Sequence, residues 1–356
     1  MANHSHLLDI TIITFLVLGL TTLPAASAAQ ECESKYEGGC HDKVEALKLK
    51  IIAIFAILVT SMVGICLPIF SRVVPALQPD RDLFVLVKAF ASGVILATGY
   101  MHVMPDSLDD LTSPCLPQRP WHNFPFTTFV AMLSAIFTLM VDSFSLGYFK
   151  KKLSPCNNPN FEEGGPPQAK ELHHFGHNHG PVNVNENAKD VDDAEQLLRN
   201  RVVAQVLELG IVVHSVVIGL SMGASENPCT IRPLVAALCF HQLFEGMGLG
   251  GCILQAEYGC KMKSIMIFFF SATTPFGIGL GIGLSNVYSD TSPTSLIVEG
   301  ILNAVSAGLL NYMALVDLLA SDFMGPKLQS RMKLQIWSYL AVLLGAGGMS
   351  VMAIWA

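Results

Sequence analysis

The sequence predicts an all-α polytopic membrane protein with eight transmembrane helices and a long, disordered, His-rich loop between the third and fourth helices. Of 356 residues, 51% are hydrophobic and only 14% are charged, whereas soluble domains carry about 25% charged residues. Several apolar runs reach the roughly 20 residues that cross a bilayer. The net charge of −7 gives no basic surface for nucleic acid, so lipid is the expected surrounding and nucleic acid is not a partner.

Residues 1–29 have the pattern of a secretory signal peptide. An apolar stretch over residues 7–20 precedes Pro24, and Ala26-Ser27-Ala28 fits the small-residue cleavage pattern. Residues 1–6 contain no Lys or Arg, so an uncleaved anchor helix is the alternative. Cleavage would leave residues 30–48 as an extracellular N-terminal segment.

Hydropathy divides the rest of the chain into two groups of helices. Transmembrane helices 1–3 lie within residues 49–147, residues 148–200 form a cytosolic loop, and transmembrane helices 4–8 lie within residues 201–356. The predicted spans are 49–71, 83–104, 126–147, 201–225, 231–255, 264–285, 294–319 and 335–355.

The distribution of positive charge sets the orientation. With the mature N-terminus outside, most of the 21 Lys and Arg residues fall in segments assigned to the cytosol, as the positive-inside rule requires. We therefore expect a multi-pass plasma-membrane protein with extracellular N- and C-termini. Cys32 and Cys40 would face an oxidising space, where they pair with each other or with Cys115 and Cys229; the sequence leaves the pairing open.

The cytosolic loop differs in composition from every other segment. It is polar and acidic and has too little apolar surface to offset the entropy of ordering, so disorder is expected. It carries four closely spaced histidines, His173, His174, His177 and His179, which predict loose metal binding for buffering or sensing. A solvated tail without a metal role is the alternative.

Two histidines lie inside apolar runs, where ionisable groups are costly and mark functional sites. His214 is 11 residues from the outer end of the fourth span, and His241 is 10 residues from the outer end of the fifth. At about 1.5 Å per residue both lie roughly 15–17 Å deep, near the middle of the bilayer. Glu245 follows His241 by one helical turn and faces the same side. These three residues predict an intramembrane metal site.

Further polar residues surround this predicted site. Asn303 lies roughly 14 Å deep in the seventh span, and Ser215 and Gln242 each follow one of the two histidines; all three could be ligands or hydrogen-bond donors that orient ligands. His102 and Asp106 stand four residues apart at the expected outer end of the second span. We expect them to collect ions at the entrance, with a solvated helix end as the alternative.

The ligand types indicate which ions would bind. Imidazole and carboxylate suit Zn²⁺ and Fe²⁺, and also Mn²⁺ and Cd²⁺, whereas Ca²⁺ and Mg²⁺ prefer oxygen-only shells. A bare divalent ion cannot cross hydrocarbon, so these ligands would carry it through the bilayer. The ion would be cargo, and no resident cofactor is expected.

These segments resemble the ZIP family of zinc- and iron-regulated transporter-like proteins, in particular its plant iron/zinc branch. The resemblance is carried by residues 93–106 (GVILATGYMHVMPD), 214–223 (HSVVIGLSMG), 241–251 (HQLFEGMGLGG) and 313–320 (MALVDLLA). It implies uptake of Zn²⁺ or Fe²⁺ toward the cytosol through His214, His241 and Glu245. It also implies that a transport bundle moves against a scaffold able to form a homodimer.

One position departs from the family pattern. Members with a two-metal centre carry a carboxylate four residues after the helix-4 histidine, where this chain has Ile218. Ser215 and Gln242 stand at two further bridging positions, so we expect a single bound ion.

Three other classes of protein share some of these features. A metal exporter of the cation diffusion facilitator type shares the His-x-x-x-Asp pattern and His-rich loops, but it would have six spans. A membrane metallohydrolase would need a His-Glu-x-x-His or nucleophile motif, which is absent, so enzymatic activity is not expected. A receptor would leave the histidines unexplained.

Overall fold

The computed structural model describes residues 42–70, 81–153, 184–285 and 292–354. Within these residues it contains eight helices long and apolar enough to cross a membrane, and no strand. In chain order they are α1 (Lys43–Phe70), α2 (Asp82–Leu111), α3 (Phe126–Leu153), α4 (Val184–Ala224), α5 (Pro228–Gln255), α6 (Cys260–Leu284), α7 (Pro293–Phe323) and α8 (Met332–Met352). The predicted fold class and number of spans are confirmed.

Several helices are longer than the apolar runs that predict them. Helix α1 begins six residues before the expected start, so it takes up the end of the segment expected to precede the first span. Helix α4 begins at Val184 and α3 ends at Leu153, so both extend into the segment 148–200 that was expected to be a loop. Hydropathy does not detect these extensions because their residues are polar. The signal segment and residues 154–183, including the four loop histidines, lie outside the described residues.

Helix α2 also extends beyond its expected end at Met104. Pro105 lacks the N–H that would continue regular helical hydrogen bonding, so it would normally interrupt the helix. Instead, residues Gly99–Val103 form a π-helical turn, and the Met104 N–H donates to the Gly99 carbonyl oxygen. The wider turn takes up the interruption, and the helix continues to Leu111.

The helices pack as two groups, α1, α4, α5 and α6 in one and α2, α3, α7 and α8 in the other. The most extensive contacts lie within the groups, between α1 and α5, α4 and α6, α2 and α8, and α3 and α7. Glycine permits several of these close approaches: a β-carbon added at Gly281 of α6 would lie 2.7 Å from the Cα of Gly223 on α4. Backbones therefore touch inside the first group.

Contacts between the two groups rest mainly on side chains. Helix α4 meets α7 where the Ser306 hydroxyl donates to the Gly210 carbonyl oxygen at 2.9 Å, and Ile95 of α2 packs with Leu249 of α5 in the main apolar core. The polar residues described next lie at this interface, because α2 and α7 belong to one group and α4 and α5 to the other.

Candidate metal centre

Three buried histidines from three helices meet inside the helix bundle. His102 on α2, His214 on α4 and His241 on α5 each offer a ring nitrogen, and these atoms all lie within 4.8 Å of one another. The ring centroids are 5.5–5.9 Å apart. None of the three residues is more than 4% exposed. The structure therefore brings together His214 and His241, as the depth argument predicts, and adds His102 to them.

His102 lies deeper than its expected position at the entrance. Nine residues of helix separate it from Leu111, which is roughly 14 Å. The difference follows from the continuation of α2 past Pro105, because a helix ending at Met104 would have left His102 at the surface. The π-helical turn that contains His102 is the signal that sequence reasoning missed; such turns are frequent at functional sites.

Glu245 lies beside the histidine cluster on α5. Its Oε2 lies 3.3 Å from Nε2 of His241, and the residue is fully buried. Because Glu245 is one turn further along α5 than His241, it lies on the side of the rings toward the C-terminal end of α5. A carboxylate in this position supplies negative charge and oxygen ligands to an ion held by the imidazoles.

The donor atoms of this cluster have no hydrogen-bond partners among the described residues. These are both ring nitrogens of His214, Nε2 of His241 and both carboxylate oxygens of Glu245; the 3.3 Å contact between His241 and Glu245 lacks hydrogen-bond geometry. Buried polar atoms in folded proteins are nearly always paired, so a group of unpaired donors indicates a ligand. Three imidazoles and a carboxylate fit a four-coordinate Zn²⁺ or a related first-row ion.

The additional predicted ligands are buried around the cluster. Asn303 of α7 is a side-chain neighbour of His214, and its Oδ1 has no partner among the described residues. Ser215 and Gln242 are also buried, but each follows a cluster histidine by one residue, which turns its side chain about 100° around the helix. A ligand role for Asn303, Ser215 and Gln242 stays a prediction.

Ile218 occupies the position where a second metal would need a carboxylate. It belongs to an apolar cluster with Ile57, Met222, Leu238 and Ile278. Apolar side chains offer no ligand, and binding of a single ion stays a prediction.

The outer end of α2 carries the second entrance residue. Asp106 is one turn outward from His102, with 3.9 Å between its Oδ2 and Nδ1 of His102, and its side chain is 44% exposed. Asp106 therefore lies between the buried cluster and the end of the helix, and its role in collecting ions stays a prediction.

Ion pairs and a hydrogen bond join the helices on the other side of the cluster from Asp106. Lys88 of α2 binds Asp322 of α7 at 2.9 Å and Gln255 of α5 at 3.2 Å. Arg199 of α4 binds Asp317 of α7 at 3.3 Å. The Lys88–Gln255 and Arg199–Asp317 contacts link the two helix groups, whereas Lys88 and Asp322 belong to the same group.

Two of the cysteines left open by the sequence are in disulfide bonds. Cys115, between α2 and α3, and Cys229, at the start of α5, are both disulfide-bonded. They lie on the same side of the helix bundle as Asp106.

Comparison with known proteins identifies the family. The family model described as ZIP Zinc transporter matches residues 47–353, from α1 to the end of α8. The chain belongs to the ZIP family. This ZIP protein is accordingly a multi-pass membrane protein, and nothing supports the alternative of a cation diffusion facilitator.

Curated relatives of this ZIP protein cover nearly its whole length. Fe(2+) transport protein 1 of Oryza sativa subsp. japonica is 60% identical, over 94% of this chain and 92% of its own. Fe(2+) transport protein 1 of Arabidopsis thaliana is 55% identical over the full length of both chains. Probable zinc transporter 10 of Arabidopsis thaliana is also 55% identical, over 99% of each chain.

Proposed function

We propose that this ZIP protein takes up Zn²⁺ or Fe²⁺ into the cytosol, one ion at a time, through the cluster of His102, His214, His241 and Glu245. The observation that carries the proposal is the meeting of three imidazoles from α2, α4 and α5 within 4.8 Å. The names of the relatives, which are iron and zinc transporters, support the choice of ions. The same ligands would accept Mn²⁺ and Cd²⁺.

The ligand set offers the ion a replacement for its water shell. An ion that leaves water loses a large hydration free energy, which several close ligands must offset. The ligands come from both helix groups, because His102 lies on α2 while His214 and His241 lie on α4 and α5. Movement of one group against the other would therefore pull ligands away from the ion and allow its release.

The direction of transport follows from the proposed orientation. Positive charges concentrate in the segments assigned to the cytosol, and the disulfide-bonded Cys115 and Cys229 support the opposite side as extracellular. On the side that we assign to the cytosol, Lys88 donates to Gln255 and Arg199 pairs with Asp317 across the two helix groups. We propose that these two contacts separate when the ion is released inward.

Plasma-membrane location, extracellular termini and a homodimer belong to the same proposal. A transport role requires no enzymatic activity. Fluorescence microscopy of a tagged chain and cross-linking in native membranes check the location and the homodimer.

Uptake of radioactive zinc and iron by metal-starved cells that lack their own transporters tests the function. We expect wild-type protein to accumulate metal and His241→Ala to lose at least about 10–100-fold of this activity, as metal-site substitutions typically do. His122→Ala, which removes an exposed histidine from the outer loop, is the matched control and should transport normally. Normal uptake by His241→Ala at equal surface abundance, or metal export by the wild type, would contradict the proposal.

A further inference from the structure

Glu299 is a buried carboxylate that the histidine cluster does not use. It lies on α7 near the outer end of that helix and is only 9% exposed. Its Oε1 has no hydrogen-bond partner among the described residues. Burying a carboxylate without a partner is costly unless a cation is near. Among the described residues, the charged side chains that act on Glu299 are those of two other acids.

These two acids are Asp106 and Asp110 on the outer part of α2. Packing holds this part of α2 against α7, since the Ser107 hydroxyl donates to the Gly300 carbonyl oxygen at 2.6 Å. A β-carbon added at Gly300 would lie 3.1 Å from Cβ of Asp110. Three carboxylates from two helices therefore surround one region immediately outside the histidine cluster.

A second polar side chain connects this region with the cluster. Asn303 lies one turn inward from Glu299 on the same face of α7, about 6 Å along the helix. It is only 5% exposed, and its Oδ1 has no partner within the described part of the chain. Asn303 is in turn a neighbour of His214. Helix α2 repeats this order, with Asp106 outside and His102 inside.

We propose that Glu299, Asp106 and Asp110 form a second, outer site for a divalent cation, from which Asn303 and His102 pass the ion to the three-histidine cluster. This inference rests on the proposed transport function and adds a binding step before it. Two unpaired polar atoms, Oε1 of Glu299 and Oδ1 of Asn303, line the route between the two sites.

The chemistry of the two sites differs. Carboxylates provide hard oxygen ligands, which bind Mn²⁺, Fe²⁺ and Zn²⁺ with modest discrimination and allow the ion to keep part of its water shell. The histidine cluster replaces that shell with imidazole and favours Zn²⁺ and Fe²⁺. The outer site thus concentrates divalent ions, and the histidine cluster selects among them.

Zinc titration of the purified full-length protein in lipid nanodiscs tests the proposal. Isothermal titration calorimetry counts the bound ions, in a background where His173, His174, His177 and His179 are alanine so that loop binding does not contribute. We expect this background protein, in which both sites keep their wild-type residues, to bind one zinc ion tightly and a second one more weakly. Glu299→Gln should abolish the weaker step and keep the tight one, and Asp110→Asn should do the same, which guards against a folding defect of either variant.

Two control variants separate the sites. Glu226→Gln removes a carboxylate on the same side of the membrane that is already paired with Lys43 at 2.8 Å, so both binding steps should remain. His241→Ala should lose the tight step and keep the weaker one. In uptake assays, Glu299→Gln should raise KM at least about tenfold with kcat nearly unchanged, whereas a defect in packing would lower kcat.

The outcomes are distinguishable. If Glu299→Gln and Asp110→Asn both bind two ions with unchanged affinity, the outer site does not exist. If the background protein binds one ion only, and His241→Ala removes it, the outer site is again refuted while the proposed transport function remains. If the background protein binds no zinc, the transport site itself is refuted.

Discussion

The carboxylates at the two ends of the helix bundle, which we call the outer and inner halves, differ in whether a side-chain cation pairs with them. In the outer half, Glu299 is buried with an unpaired oxygen and Asp106 is 44% exposed beside a histidine. In the inner half, Asp322 and Asp317 are held by Lys88 and Arg199 at 2.9 and 3.3 Å. The outer acids are available to an arriving cation, whereas side-chain cations already occupy the inner acids.

This difference indicates how the path is closed. Lys88 and Arg199 neutralise the inner acids and at the same time connect α2 and α4 to α7. These contacts hold the helices together on the side of the histidine cluster that faces away from Glu299 and Asp106.

The largest effect is expected for substitution of His102. The result distinguishes a role as a ligand in the cluster from a role at the entrance. As a ligand, His102 makes contact with the ion while it is dehydrated, so His102→Ala should lower the kcat of zinc uptake about 100-fold. Asp106→Asn should mainly raise KM, because it affects the capture of the ion. Initial rates of uptake over a range of zinc concentrations measure both constants.

His122→Ala controls for loss of an outer histidine. If His102→Ala changed only KM, His102 would act at the entrance and not as a ligand of the cluster. The proposed difference between the outer and inner halves would then be wrong.

The next effect concerns the inner closure. Cys252 of α5 is buried, and the charges of Lys88, Asp322 and Asp317 act on its thiol. Lys88→Ala should open this region and increase the rate at which a membrane-impermeant maleimide modifies Cys252 from the cytosolic side several-fold. Mass spectrometry of the Cys252 peptide from inside-out vesicles measures the modification.

Arg331→Ala is the matched control, because Arg331 forms an exposed ion pair with Asp82 at the same end of the protein. Equal modification of Cys252 in the wild type and in Lys88→Ala would show that the Lys88 contacts do not close the path.

A smaller effect, on stability, is expected for a substitution inside the group of α1, α4, α5 and α6. We expect this group to move as a rigid body. A methyl group at Gly281 would collide with Gly223 of α4, so Gly281→Ala should destabilise the protein by about 1–3 kcal/mol, as overpacking usually does. Gly283 of the same helix has nothing within 4 Å of an added β-carbon, so Gly283→Ala should be neutral. Thermal unfolding in detergent compares them, and equal stability of the two variants would show that α4 and α6 can separate.

The smallest effect is expected for the loop histidines. Replacing His173, His174, His177 and His179 together by alanine should leave the zinc uptake rate unchanged, because the ion path described above does not include them. Regulation by metal supply should change, which surface abundance before and after zinc addition would reveal. Loss of transport by a correctly located variant would place these histidines in the transport step.

The sequence predicts the number of spans and their order because each span needs an apolar run of a set length. It does not predict where α1, α3 and α4 end, since their extensions outside the apolar runs are polar and have no hydropathy signal. It also misplaces the end of α2, because the rule for proline does not anticipate a π-helical turn before Pro105.

The sequence predicts the part of the site for which position along a helix is enough. His214, His241 and Glu245 lie on two helices joined by a short turn, so depth along each helix is enough to place them together. His102 comes from a helix that is distant in sequence, and its depth depends on where α2 ends. The grouping of Glu299 with Asp106 and Asp110 has no sequence signal, because these acids lie on different helices that are distant in the chain.

X-ray absorption at the zinc edge, on zinc-loaded protein in which the four loop histidines are alanine and only the tight site is filled, tests the central claim most directly. The account predicts nitrogen and oxygen neighbours of the zinc ion at about 2.0–2.1 Å. The multiple-scattering signal should correspond to three imidazoles in the protein with intact site residues and to two imidazoles in His102→Ala. A zinc ion surrounded only by oxygen, or a spectrum unchanged in His102→Ala and His241→Ala, would contradict it.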